Sequence, residues 1–115
     1  MHVYVRDVTR ATTVGTQIAI ADTFLTRLIG LAGRERLAAG CGLLIRSSSG
    51  IHTFGMRFPI DVVALNRDLV VLRLWQRVVP FRMTGISLRT HSILELPAGQ
   101  IQQCGMQVGD QLEFE

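Results

Sequence analysis

Short runs of β-branched and aliphatic residues, each cut off by Gly, Pro, Asn or Asp, constrain this chain more than any other feature. "HVYVRDVT", "QIAIA", "CGLLI", "IDVVAL", "LVVLRLW" and "HSILELP" are too short for stable helices and rich in Val, Ile and Leu. Only one window changes period. In "DTFLTRLIGLAGRERL", Phe24, Leu28 and Leu31, with Leu25, Ile29 and Ala32, fall at helical spacing behind an Asp22/Thr23 cap, and Gly33 is a stop. The pattern predicts a mainly β fold, a compact β-sandwich or partly open barrel of about 7–9 short strands, with one amphipathic α-helix over about residues 23–32 packed on it.

Within that frame, residues 2–9 and 16–21 read as a hairpin turned at Gly15. "IHTFGM" reads as a strand, Pro59 delays the next one to Ile60, and "NRD" turns it back into "LVVLRLW". "QRVVPFRMTGIS" reads as irregular, "PAG" and "VGD" as turns, "QIQQCGM" as one helical turn and "QLEFE" as a closing strand. No strand–helix alternation, GxGxxG or Walker-type loop is present, which removes the commonest nucleotide-binding folds.

The length of 115 residues fits a single globular domain, 1–115, with a core that needs no metal or disulfide staple. Hydrophobic residues at 48% against 18% charged set the chain apart from disordered sequences. All 12 basic residues are Arg, scattered from Arg6 to Arg89 with a net charge of only +3. A nucleic-acid binder gathers its charge into a patch with interleaved aromatics, and none is visible here. Cys41 and Cys104 stand alone, making neither a CxxC motif nor a zinc set, and read as small buried or half-buried apolar residues. The N-terminus has no apolar run of the signal-peptide kind and no stretch reaches membrane-spanning length, so the expected setting is cytoplasmic, without a membrane partner.

In "IHTFGMRFPIDVVAL", His52, Arg57 and Asp61 interrupt the most apolar part of the chain, and either converge on a site or are the polar scaffolding of an ordinary core. Strand alternation puts Asp61 on one face with Val63 and Leu65, and Ile60, Val62 and Ala64 on the other. A carboxylate in such company needs a partner, and Arg57 or the backbone amides of a turn would each serve. Asp61 therefore reads either as a carboxylate tying a strand to a loop or as one facing a pocket. His52 beside a carboxylate can act as a general base, with Arg57 holding an anion. Glu95 shares a face with Ile93 and is either exposed on a wet sheet surface or a second pocket carboxylate. Ser47, Ser48 or Ser49 beside His52 lacks the elbow or triad order of a serine hydrolase. A metal site from His52 and His91 with Asp61 or Glu95 would need distant strands to meet. Trp75 reads as core or rim packing.

Laid end to end, these motifs resemble the prokaryotic family catalogued as domain of unknown function 192. The resemblance rests on "RLIGLAGRERL", "GLLI", "HTFGMRFPIDVVAL" and "ILELPAGQIQQCGMQVGDQLEFE", which keep the family's order and spacing over roughly residues 16–115. It implies a compact, mainly β fold with one helix and no particular reaction. Its signature falls here on Phe54, Met56, Arg57, Pro59, Asp61, Glu95, Pro97, Gly99, Gly109 and Asp110, with Gly55 and Ala64 departing from it toward smaller side chains.

Two functions from different classes fit. The first is a non-catalytic binding or accessory module for a small anionic ligand or a protein partner, with His52, Arg57, Asp61 and Glu95 as the ligand contacts. The alternative is a small enzyme with His52 as general base and Arg57 orienting an anionic substrate. Neither calls for a metal or another cofactor.

Overall fold

A computed structural model describes residues 2–21, 37–46, 58–79 and 88–115. Among the described residues seven strands run β1 (His2–Asp7), β2 (Thr12–Ala21), β3 (Cys41–Arg46), β4 (Ile60–Leu65), β5 (Val71–Val78), β6 (Ser92–Pro97) and β7 (Leu112–Phe114), with a short helix α1 (Gln100–Cys104) before β7. They form one curled sheet, a half-barrel, in the order β5-β4-β6-β3-β2-β1-β7. The helix expected over residues 23–32 and the strand expected at "IHTFGM" lie outside the described residues.

Every pair is antiparallel except β2–β3, where Gln17 to Ala21 run parallel to Cys41 to Ile45. The first hairpin turns at residues 8–11, not at Gly15. Gly15 lies inside β2, where a Cβ would stand 2.5 Å from the Ile18 Cδ1 and 3.2 Å from the Gly40 carbonyl oxygen. That carbonyl accepts the amides of Thr16 and Gln17, each at 2.9 Å. The glycine thus marks a close approach of two chain segments and not a reversal.

Both faces of the central strands are buried. One cluster takes side chains from all seven strands, Val5, Val14, Ile18, Leu44, Val63, Val71, Leu94 and Leu112 among them, and fills the inside of the curl. The other lies on the outer face of β3, β4 and β6, with Leu43, Ile45, Ile60, Val62, Ala64 and Ile93, and Trp75 and Phe58 pack against it. Period-2 alternation therefore divides β4 between two apolar environments, so all six of its residues are buried.

The edges of the sheet meet at one corner. Val71 donates to the Asp110 carbonyl (2.9 Å), Gly109 to the Val71 carbonyl (2.8 Å) and Leu112 to the Leu69 carbonyl (3.0 Å). Arg10, in the β1–β2 turn, grips the same segment: its Nε and Nη2 reach the two carboxylate oxygens of Asp110 at 3.0 and 3.2 Å. Asp7 lies buried beside that pair and accepts the Arg10 amide (3.2 Å). Burial first, then the hydrogen bond with Asp110, pushes the Asp7 carboxyl up from 3.8 to about 6. Burial also works to raise Asp110, but hydrogen bonds from Asp7, Arg10 and the Gln107 amide outweigh it and hold that carboxyl below 3.8.

Two stability predictions follow from this packing. In Gly42→Ala the new methyl would meet the Glu95 carbonyl oxygen and the Ile18 Cδ1 at 2.7 Å each, so the variant should lose about 2 kcal/mol, seen as a fall in melting temperature of roughly 8 °C. The folded state holds the Asp7 proton more tightly than the unfolded chain does. Its contribution is complete below pH 3.8 and is lost as the pH rises through about 6. Asp7→Asn should therefore gain on the wild type between pH 5 and pH 7.5, as read from melting curves at the two values; an unchanged difference would show that Asp7 does not titrate in this window.

Candidate functional site

Asp61 is the polar centre of one end of the half-barrel. Its side chain points inward with Val63 and Leu65 and is fully buried. Oδ1 accepts the Arg77 amide at 2.9 Å, and Oδ2 accepts the amides of Gly99 (3.1 Å) and Ile101 (2.9 Å). Charge-assisted acceptors of this kind are roughly twice as strong as neutral ones, which is how a buried carboxylate is tolerated here.

Each donor belongs to a local structure that needs the acid. Between the pairs Ile60–Val78 and Val62–Trp75 the register slips, so Asp61 faces two residues of β5 and Arg77 adopts a left-handed φ of 54°. This is a β-bulge, and its spare amide is the one Asp61 takes. Gly99, at φ 94°, lets the "PAG" turn swing the amides at the start of α1 toward the same carboxylate. A five-residue helix gains little by itself, and α1 is held by its surroundings. Ile101 and Cys104 enter the inner core, the Gln100 side chain donates to the Val14 carbonyl (2.9 Å), and Thr12 donates to the Cys104 carbonyl (2.9 Å). The helix bridges β4 to β2 across the mouth of the curl.

The bulge also sets the backbone at Arg77, within "QRVVPFRMTGIS", a stretch that reads as irregular from the sequence. Arg77 is exposed at this rim, and a Cβ on Gly99 would stand 3.6 Å from its Nη2. No residue pattern announces a bulge; only the run of β-forming residues through "LRLWQRV" hinted that β5 continues past Trp75.

His52 and Arg57 lie outside the described residues. Asp61 and Glu95 point to opposite faces. Glu95 pairs with Leu43 on one side and Val62 on the other, both in the outer cluster, whereas Asp61 pairs with Leu96 of the inner one. Glu95 is completely buried, so the exposed wet-surface alternative is corrected: a second sheet face that is itself apolar encloses it. Trp75 packs half-buried against the outer cluster, with the Arg73 guanidinium 4.8 Å from its ring centre. Cys41 is half-buried, and burial raises the thiol pKa of the buried Cys104. Among the described residues no three of His, Cys, Asp and Glu gather to hold a metal, and no helix is long and apolar enough to cross a membrane.

Comparison with known proteins agrees with this architecture. Residues 6–114 match the profile of the family DUF192, described as an uncharacterized ACR. The UPF0127 protein of Pyrococcus furiosus is 33% identical over 116 aligned residues, covering 94% of this chain and 95% of its own length. A protein of unknown function from Novosphingobium aromaticivorans superposes with a TM-score of 0.83 at 20% identity, over 98% of this chain and 84% of that one. A structure from Sinorhizobium meliloti, described provisionally as a transcription regulator, gives 0.82 at 23% identity, over 98% and 92%. At such identities the two structures establish the fold.

The Asp61 cluster makes a test of its own. Asp61→Ala leaves three amides without their acceptor, each at about 1–3 kcal/mol, so the variant should lose at least ~3 kcal/mol in urea denaturation. Asp61→Asn retains a carbonyl acceptor and should lose about half as much; equal losses would show that acceptor geometry is not what the site requires.

Proposed function

Because the chain belongs to the family of domain of unknown function 192, we propose that it is a non-catalytic binding module that takes a small anionic ligand at the rim closed by α1. The observation that carries this reading is the use to which Asp61 is put. Both of its oxygens are committed to backbone amides, so the acid of the signature stretch works as scaffold. What it holds in place is the bulge that presents Arg77. A guanidinium on a fixed bulge suits a carboxylate or phosphate, because its planar fork is organised before the ligand arrives. Arg57, four positions before Asp61, and His52 supply the remaining ligand contacts in this reading. Glu95, on the other face, is a buried acid of the outer core.

A thermal-shift panel of phosphates, nucleotides, organic acids and neutral sugars separates the possibilities. An anion at a hundred times its dissociation constant should add about 2.7 kcal/mol to the wild type and raise its melting temperature by several degrees. The Arg57→Ala, Arg77→Gln variant should lose that shift. A panel that leaves the wild type unmoved, or a shift that survives in the variant, would overturn the reading. Turnover of a shifting compound, abolished by His52→Ala, would establish the enzyme alternative instead.

A further inference from the structure

The corner where the sheet edges meet carries a group that the rim reading does not use. Asp7, at the end of β1, is fully buried, and its Oδ2 has no hydrogen-bond donor among the described residues. Asp110, its neighbour across the seam, is already supplied. The Asp110 Oδ2 accepts from Arg10 Nε and from the Gln107 amide, each at 3.0 Å, and its Oδ1 accepts from Arg10 Nη2 at 3.2 Å. An orphan oxygen set against an ionised carboxylate in a closed site needs a proton of its own, and the bond between the two acids exists only while Asp7 keeps one. We propose that Asp7 is a proton-operated latch of the half-barrel, holding the edges at β5 and β7 together when protonated and releasing them locally when it ionises.

The latch sits where three chain segments are sewn together. The Val8 amide, next to Asp7, donates to the Gln111 carbonyl at 2.9 Å, and the Gln111 amide returns to the Thr9 hydroxyl at 2.9 Å. Asp110 belongs to both sides of the seam: its side chain meets Arg10 and Asp7, and its carbonyl accepts the Val71 amide of β5. Moving Asp110 therefore strains both contacts at once. Behind it stands little strand pairing, because β7 contributes three residues, Leu112–Phe114. The central strands β4 and β6 are paired on both sides. A segment held mainly by end-of-strand bonds opens at lower cost than the whole fold.

The charges around Asp7 single it out as the group that switches. Asp110 faces it from the approach to β7 and Arg10 from the β1–β2 turn; the Cys104 thiol of α1 feels its charge, and β2 contributes Thr12, which does not titrate. Hydrogen bonds from Asp7 and Arg10 hold Asp110 below 3.8 against the pull of burial, so it stays ionised. Burial raises the Cys104 thiol above 9.0, so it stays protonated. Asp7, raised by burial and by Asp110 to about 6, is left to change state between pH 5 and pH 7.5. Its ionisation sets a second buried negative charge against Asp110, and the Arg10 guanidinium is already engaged by Asp110 and the Gln107 side chain.

Hydrogen exchange of the full chain, followed by NMR at pH 5 and pH 7.5 and corrected for intrinsic rates, tests this. The Val8, Val71, Gly109 and Leu112 amides of the seam should open about tenfold more often at the higher pH, as expected for a carboxyl that titrates at 3.8 when released and at about 6 when latched. At pH 7.5 the Val63 and Leu94 amides of the central strands should remain at least about tenfold better protected than those of the seam, the mark of a local opening. Asp7→Asn, which cannot ionise, should bring the seam ratio close to one. The side-chain carboxyl carbon of Asp7 should titrate with a midpoint of about 6 in the wild type, a reading that needs no variant. A midpoint near the ordinary value of about 4, seam opening that ignores pH, or the same response in Asp7→Asn would overturn the proposal. So would equal protection of seam and central strands, which would make the release global.

Discussion

A single buried carboxylate governs how this half-barrel ends. Without Asp61, the amide released by the β5 bulge and the amides at the start of α1 would all face the protein interior with no acceptor, a cost of several kcal/mol against a total stability of about 5–15. With it, three elements far apart in sequence share one polar centre. The bulge sets where β5 bends, the Gly99 turn sets where α1 begins, and α1 carries Ile101 and Cys104 into the inner core. Local strain is affordable here because the cluster over-determines it: neither the left-handed Arg77 nor the five-residue helix has a reason to persist alone.

The opposite corner solves a different problem with a related device. A seven-stranded open sheet leaves two edges of unpaired backbone. Here β5 and the approach to β7 bond to each other, and Arg10 fastens that seam through Asp110. Placing Asp7 beside Asp110 makes the seam electrostatically uneven, since two buried carboxyls cannot both ionise without penalty. Asp61 is satisfied entirely by neutral amides, whereas the seam depends on a guanidinium and a proton.

How much of this was legible varies with the kind of constraint. The mainly β class, the identity of most strands and the division of β4 into two faces all follow from period-2 patterning, which is a property of single segments. The fate of Glu95 did not follow. Alternation puts it on the face opposite Leu94 and Leu96, but whether that face is wet depends on packing from elsewhere, and here it is an outer core. Gly15 misled because a glycine signals either a reversal or a close approach, and the partner that decides it, the Gly40 carbonyl, is remote in sequence. Asp61 was foreseen to need a partner, with turn amides as one option. Its actual partners are backbone groups of Arg77, Gly99 and Ile101, and an amide leaves no mark in residue identity. The bulge that presents Arg77 was hidden for the same reason.

The division between scaffold and surface carries a consequence for function. The acids that a motif search would select are the ones the fold consumes: Asp61 by α1 and the bulge, Asp110 by the seam. Exposed at the rim beside Asp61 is Arg77, carried on the β5 bulge. Recognition built this way needs little from the core beyond rigidity, so ligand preference can change through loop residues while the β framework stays intact. The strongest sequence signature then reports on the framework, and under the proposed binding role the residues that would choose a ligand are among the least conspicuous in the chain.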